Sequence, residues 1–235
     1  MTYIRGTVLA DLSVTWDMLH KLGNLTGKLN LRMQSFPNTD NLNYDSMWKL
    51  SEIGQLLGLV HYAPSKKLQA ISLDIITEFN SKVAPNMQTF QTGLIHHDMG
   101  PQNIVMTQNT DSTWKVAAVL DFGDVCTSCY VFEVAIMLSS IFMNQSSRSL
   151  KLSEMALTQD TLFESYTAVM PLSEIEESVL DVCVKSRVLQ CSLIGEKTRE
   201  TDPENKYIGN YICWDVLEKL ESLARRDGNV KSRRE

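Results

Sequence analysis

Two short apolar runs, Leu94–Ile95 and Val116–Leu120, each lead into a carboxylate, Asp98 after the first and Asp121 after the second. Asn103 lies between them, five residues after Asp98. The full stretch, Leu94 to Met143, reads LIHHDMGPQNIVMTQNTDSTWKVAAVLDFGDVCTSCYVFEVAIMLSSIFM. The turn-rich Gln108–Ser112 sits between Ile104–Met106 and Val116–Leu120, so this part reads as a β-hairpin. Any one of these residues alone means little, because an aspartate after a strand is usually a turn or a cap. The conjunction of a His-x-Asp turn, an asparagine five residues on and an Asp-Phe-Gly across a hairpin is far more restrictive.

The flanks are helical. Met18, Leu22, Leu25, Leu29, Met33 and Phe36 recur every three or four residues, with Asp11 or Ser13 as the expected cap and Pro37 as the stop. Residues 37–46 read as a loop, and Met47–Tyr62 as a short helix. A helix opened by Pro64-Ser65 carries Leu68, Ile71, Ile75, Phe79 and Val83 to about Pro85. Tyr130–Met143 is apolar nearly all round and predicts a buried helix. Ala156–Met170, Ile175–Ile194 and Tyr207–Leu223 predict three more. The expected class is α+β and mostly helical. Residues 1–224 form the expected folded body and 225–235 a basic flexible tail.

Composition removes several function classes. The 235 residues carry a formal charge of -6, which argues against a general nucleic-acid binder. No apolar run is long enough for a membrane helix, and no signal peptide is visible, so a cytoplasmic setting is expected. The five cysteines are odd in number. The Cys126-x-x-Cys129 spacing has no second pair or histidine partner, which makes zinc a poor expectation and reduced thiols the default.

The chemistry these residues suit is phosphoryl transfer, which needs a carboxylate to orient a hydroxyl and a metal to neutralise phosphates. Asp98 can accept the hydroxyl proton. Asn103 can turn a side-chain carbonyl towards a metal, and Asp121 is a hard ligand for Mg²⁺. Gly123 frees the backbone to turn after Phe122. His96 is either a structural ring under the loop or a direct participant, and the structural role is preferred. Lys21 and Lys28 read as solvated charges.

At HHDMGPQN and LDFGDV the chain resembles the aminoglycoside phosphotransferase and choline kinase superfamily. Through LDFGDVCTSCYVFEVAIML it resembles most the hydroxylysine kinase family. The resemblance implies the C-terminal lobe of a protein-kinase-like fold, with the hairpin carrying the motifs. It implies Asp98 as catalytic base, Asn103 and Asp121 as metal ligands, His96 as structural, and Asp124 and Glu133 as acidic positions on the acceptor side. Glu133 has a second reading, a carboxylate that favours a helix start. The implied cofactors are Mg²⁺ and GTP or ATP. The implied acceptor is an amino alcohol, 5-hydroxy-L-lysine foremost.

Two departures stand out. His97 replaces the family's usual glycine. No GxGxxG occurs, and nothing before Asp11 can hold a glycine-rich loop and a strand lysine, so the N-terminal lobe is expected to be absent. The alternative to an enzyme is a non-catalytic binding or regulatory module. Its apolar surface would be covered by a partner or by self-association.

Overall fold

The structure is a computed structural model describing residues 4–36, 42, 46–144, 147–205, 207 and 211–231, with side chains to Leu223. The chain divides into two compact units, Met1–Tyr44 with Phe90–Glu177, and Asp45–Thr89 with Ser178–Glu235. Most of the loop expected over 37–46, and residues 232–235 of the expected tail, lie outside the described residues.

Among the described residues the first unit holds five strands. β1 (Thr7–Val8), β3 (Ile104–Gln108) and β4 (Trp114–Val119) form an antiparallel sheet in the order β1-β3-β4, with Ile104 opposite Val119 and a register shift at Val105/Met106. β2 (Thr92–Ile95) pairs antiparallel with β5 (Cys126–Cys129), Ile95 opposite Cys126. The expected hairpin is therefore present as β3 and β4. The β5 strand was not expected. All five cysteines are buried thiols. Burial, followed by the nearby Glu176 carboxylate, pushes the Cys129 thiol up to about 12.

Helix α1 (Trp16–Met33) starts at Thr15, whose Oγ1 accepts the Met18 N–H at 3.3 Å. Thr15 thus replaces the expected caps Asp11 and Ser13, because Leu9–Asp11 is already a 3₁₀ turn. The buried face is also rotated from the expected stripe. It runs Met18, Leu19, Leu22, Gly23, Thr26, Gly27 and Asn30, while Leu25 and Leu29 are only half-buried. The reason is helix α4 (Leu152–Thr167). A Cβ at position 23 would overlap the Leu162 carbonyl oxygen, and one at 27 would come within 2.9 Å of Val169 Cβ. Small residues let the two backbones approach closely, so the contact line follows the glycines. Asn30 then bridges elements, giving its amide to Leu94 O at 3.4 Å and accepting the Tyr166 hydroxyl at 3.1 Å.

Helix α3 (Tyr130–Met143) has the predicted bounds, with every residue buried except Ser140. A helix apolar nearly all round has no solvent face to offer, so it becomes core. Truncating Phe132 or Phe142 to alanine would cost about 3–5 kcal/mol. Helix α5 (Glu174–Thr201) opens with a capping box: Glu176 Oε2 accepts the Ser173 N–H at 2.9 Å, and Ser173 Oγ accepts the Glu176 N–H at 3.4 Å.

In the second unit, the expected helix at Met47–Tyr62 is a 3₁₀ segment, Leu50–Tyr62. Helix α2 (Lys66–Glu78) is capped by Ser65, whose Oγ accepts the Leu68 N–H at 3.2 Å. A π turn (Phe79–Val83) and a 3₁₀ turn (Ala84–Thr89) carry the chain past Pro85. Helix α6 (Trp214–Lys231) starts later than expected and runs on through 225–231, the first part of the expected tail. No described helix is long and apolar enough to cross a membrane.

Candidate active site

The loop after β2 carries the first half of the site. The N–H groups of His96 and His97 donate to the two carboxylate oxygens of Glu133, each at 2.9 Å. Glu133 is fully buried in the first turn of α3, where the helix N-terminus favours negative charge. The sequence placed Glu133 on the acceptor side. The structure gives it other work: both oxygens fasten the loop backbone from below, and no surface of the side chain is left for a ligand. This agrees with its second reading as a helix-start carboxylate, though the N–H groups it takes belong to another element.

His97 has φ 68°, the left-handed region. A bulky residue there is strained by roughly 1–2 kcal/mol, which explains the physical sense of a glycine in the resembling family. The Glu133 bond to its N–H helps hold this turn.

His96 is buried. Its Nε2 donates to the Leu120 carbonyl at 2.8 Å, and its Nδ1 accepts the Asp98 N–H at 3.3 Å. A carbonyl can only accept and an amide N–H can only donate, so the hydrogen-bond network assigns the proton to Nε2. Both ring nitrogens are thereby occupied by backbone, which fits the structural role and leaves none for a reacting group. The ring also packs on Phe122, centroids 4.8 Å apart.

Asp98 is half-buried. Asn103 donates its Nδ2 to the Asp98 carbonyl at 2.8 Å and to Asp98 Oδ2 at 2.7 Å. With the amide nitrogen so engaged, Asn103 Oδ1 points the other way, as a neutral hard oxygen donor. The backbone closes the arrangement: Asn103 O accepts the Leu120 N–H at 2.8 Å, directly before Asp121.

Asp121 is exposed and also left-handed, φ 57° and ψ 72°. Its Oδ1 accepts the Gly123 N–H at 3.3 Å. Asp124 is exposed at the end of the same 3₁₀ turn, Phe122–Asp124. The structure thus joins Asp98, Asn103 and His96 by direct bonds and ties Asp121 to them through Leu120.

These donors fit Mg²⁺. That ion prefers one or two protein oxygens plus phosphate and water to an all-protein cage, and the chain offers an amide oxygen and a carboxylate. Among the described residues no group of three or more His, Cys, Asp or Glu forms such a cage.

Sequence reasoning missed the anchoring role of Glu133. The available signal was an acidic residue inside an otherwise apolar helix, since a buried carboxylate must find donors. It also missed Tyr166. Burial, with Glu133 next, pushes its hydroxyl well above the usual range, so it stays a proton donor to Asn30 beneath the loop.

A helical α+β body with two small sheets, carrying an aspartate–asparagine pair on one loop and a second aspartate on the adjoining turn, has the layout of a phosphotransferase. Residues 1–165 match the APH family, described as the phosphotransferase enzyme family, and the chain belongs to it. It is similar to hydroxylysine kinase of Danio rerio, 26% identical over 228 residues, which are 96% of this chain and 61% of that protein. The chain therefore spans about three-fifths of the length of that relative. In fold it is similar to an aminoglycoside phosphotransferase from Alicyclobacillus acidocaldarius, TM-score 0.62 at 13% identity, covering 95% of this chain and 70% of that one. It is likewise similar to an amicoumacin kinase solved in complex with AMP-PNP, Ca²⁺ and Ami, TM-score 0.60 at 11% identity, covering 94% and 63%.

Proposed function

We propose that this chain carries the acceptor-activating and metal-binding half of a small-molecule kinase. It would transfer the γ-phosphoryl group of GTP or ATP to the hydroxyl of an amino alcohol, with 5-hydroxy-L-lysine as the preferred acceptor. On this reading residues 1–224 are the C-terminal lobe of a kinase-like fold. The observation that carries the proposal is the pair of bonds from Asn103 Nδ2 to Asp98, which orient a half-buried carboxylate and leave an amide oxygen free to face a metal. The similarity to hydroxylysine kinase along nearly the whole chain supports the choice of acceptor.

Asp98 accepts the hydroxyl proton as the acceptor oxygen bonds to phosphorus and the bond to the nucleoside diphosphate breaks. Positioning of this kind contributes about 10²–10⁴-fold. Asn103 fixes the rotamer of that carboxylate, and Glu133 fixes the loop that bears it. Asn103 Oδ1 and the Asp121 carboxylate would hold Mg²⁺, which when bound neutralises charge on the phosphates. Asp124 offers negative charge to an acceptor ammonium group.

The test is phosphorylation of 5-hydroxy-L-lysine, ethanolamine and choline with Mg-GTP or Mg-ATP by the chain joined to the N-terminal lobe of a hydroxylysine kinase, alongside Asp98→Asn. Transfer to hydroxylysine that the variant loses is the expected result. No transfer to any acceptor, or equal transfer by the variant, would overturn the proposal and favour a binding module instead.

A further inference from the structure

A cavity of ≈ 300 Å³ opens in the second unit between the end of α5 and the junction that joins the 3₁₀ segment to α2. His61, Tyr62 and Pro64 line it from the junction, and Glu196, Arg199 and Glu200 line it from α5.

The charges on this wall do not cancel. Glu196 is 6% exposed and fully engaged: its Oε1 accepts the Trp214 Nε1–H at 3.1 Å, and its Oε2 pairs with Arg199. That pair sums to zero. Glu200 is exposed, and no described residue pairs with its carboxylate. The last turn of α5, which ends at Thr201, adds the negative potential of its open carbonyls. The Tyr62 ring, its centroid 4.2 Å from that of His61, offers a face that attracts cations. Carboxylate, helix end and ring all favour the same sign of ligand.

The hydrogen-bonding groups narrow the choice. The Tyr62 hydroxyl and the His61 imidazole, like the Glu200 carboxylate, make no hydrogen bond to any described residue. A carboxylate, a hydroxyl and a neutral imidazole can each accept. A primary ammonium carries three N–H donors, whereas a quaternary ammonium carries none. The volume lies at the lower end of the range for ligand sites, which suits a short-chain amine.

We propose that the cavity lined by His61, Tyr62 and Glu200 binds the primary ammonium group of a small organic amine. The site belongs to the second unit alone and asks nothing of the phosphotransfer residues.

The Trp214 indole N–H reports on this cavity, because it bonds Glu196 in the wall. Its ¹H–¹⁵N signal, assigned with Trp214→Phe, can be followed in the full chain at about pH 8, where a free imidazole is neutral and an alkylamine charged. Propylammonium chloride should move the signal along a saturating curve, and neither sodium chloride at equal ionic strength nor 1-propanol should do so. Tetramethylammonium should bind at least about threefold more weakly, since it has no N–H to donate. Glu200→Gln should weaken propylammonium binding by about threefold, the span of a solvent-exposed ion pair. Tyr62→Phe, which removes only the hydroxyl, should weaken it by about twofold or more. Asp124→Asn should leave the affinity unchanged. No saturating shift, a shift matched by sodium chloride or 1-propanol, tetramethylammonium binding as tightly as propylammonium, or an affinity unchanged in either Glu200→Gln or Tyr62→Phe would each overturn the proposal. So would weaker binding in Asp124→Asn, which would move the ammonium to the candidate active site.

Discussion

Asn103 holds the Asp98 carboxylate at 2.7 Å through the same amide nitrogen that bonds the Asp98 carbonyl at 2.8 Å. One side chain thereby sets both the backbone and the rotamer of the candidate base. Replacing it with aspartate would set two carboxylates against each other, and a like charge favours protonation of the pair. Asn103→Asp should lower kcat by about 10²-fold or more and move the acid limb of the pH–rate profile upward. An unmoved limb in a folded variant would argue that the two side chains do not meet.

Glu133 is the next test. In Glu133→Gln one of the two loop N–H groups would face an NH₂ in place of an oxygen. A buried donor left without an acceptor costs about 1–3 kcal/mol. Urea unfolding should show a loss of that size, and kcat should fall with little change in KM, since the loop bearing Asp98 would lose its anchor. A larger effect on KM than on kcat would instead return Glu133 to the acceptor side.

His97 can be examined by comparing two truncations. Neither glycine nor alanine supplies the imidazole, but only glycine adopts φ near 68° without strain. His97→Gly should therefore be more stable than His97→Ala by roughly 1 kcal/mol, read from denaturant midpoints at equal m. The reverse order would mean that the loop relaxes out of the left-handed turn.

The second unit should show its own pH dependence. Burial alone would raise the Glu78 carboxyl, but its bonds to Lys82 and Lys185 win and hold it below its ordinary 4.5. Its contribution is present above that ordinary value and is lost as pH falls through the lower folded value. Burial would lower the Lys185 ammonium, but the bonds from Glu78 and Glu221 outweigh it and hold it above 10.5. That contribution is present below 10.5 and fades as pH rises through the higher folded value. The stability difference between wild type and Glu78→Gln, measured in urea between about pH 7 and pH 3, should shrink at the acid end. A difference that stays constant would show that the bonds carry no net charge effect.

The sequence made much of this site readable because the motifs are local. Asp98 and Asn103 are five residues apart, so their contact is encoded in one loop, and the apolar Tyr130–Met143 segment could only become core. What stayed hidden depends on long-range pairing. Cys126–Cys129 looks like nothing in particular until β2, more than thirty residues earlier in the chain, supplies a partner strand. The rotation of α1 was hidden because Gly23 and Gly27 carry no hydrophobic signal, yet they decide where α4 can approach.

The backbone of Leu120 is bonded on both sides: its N–H donates to the Asn103 carbonyl and its own carbonyl accepts from His96 Nε2. It works as a pin through both halves of the site. A small molecule that bound by prising the half-exposed Phe122 ring off His96 would thus strip support from the Asp98 loop as well, and would inhibit without ever touching a phosphate or a metal.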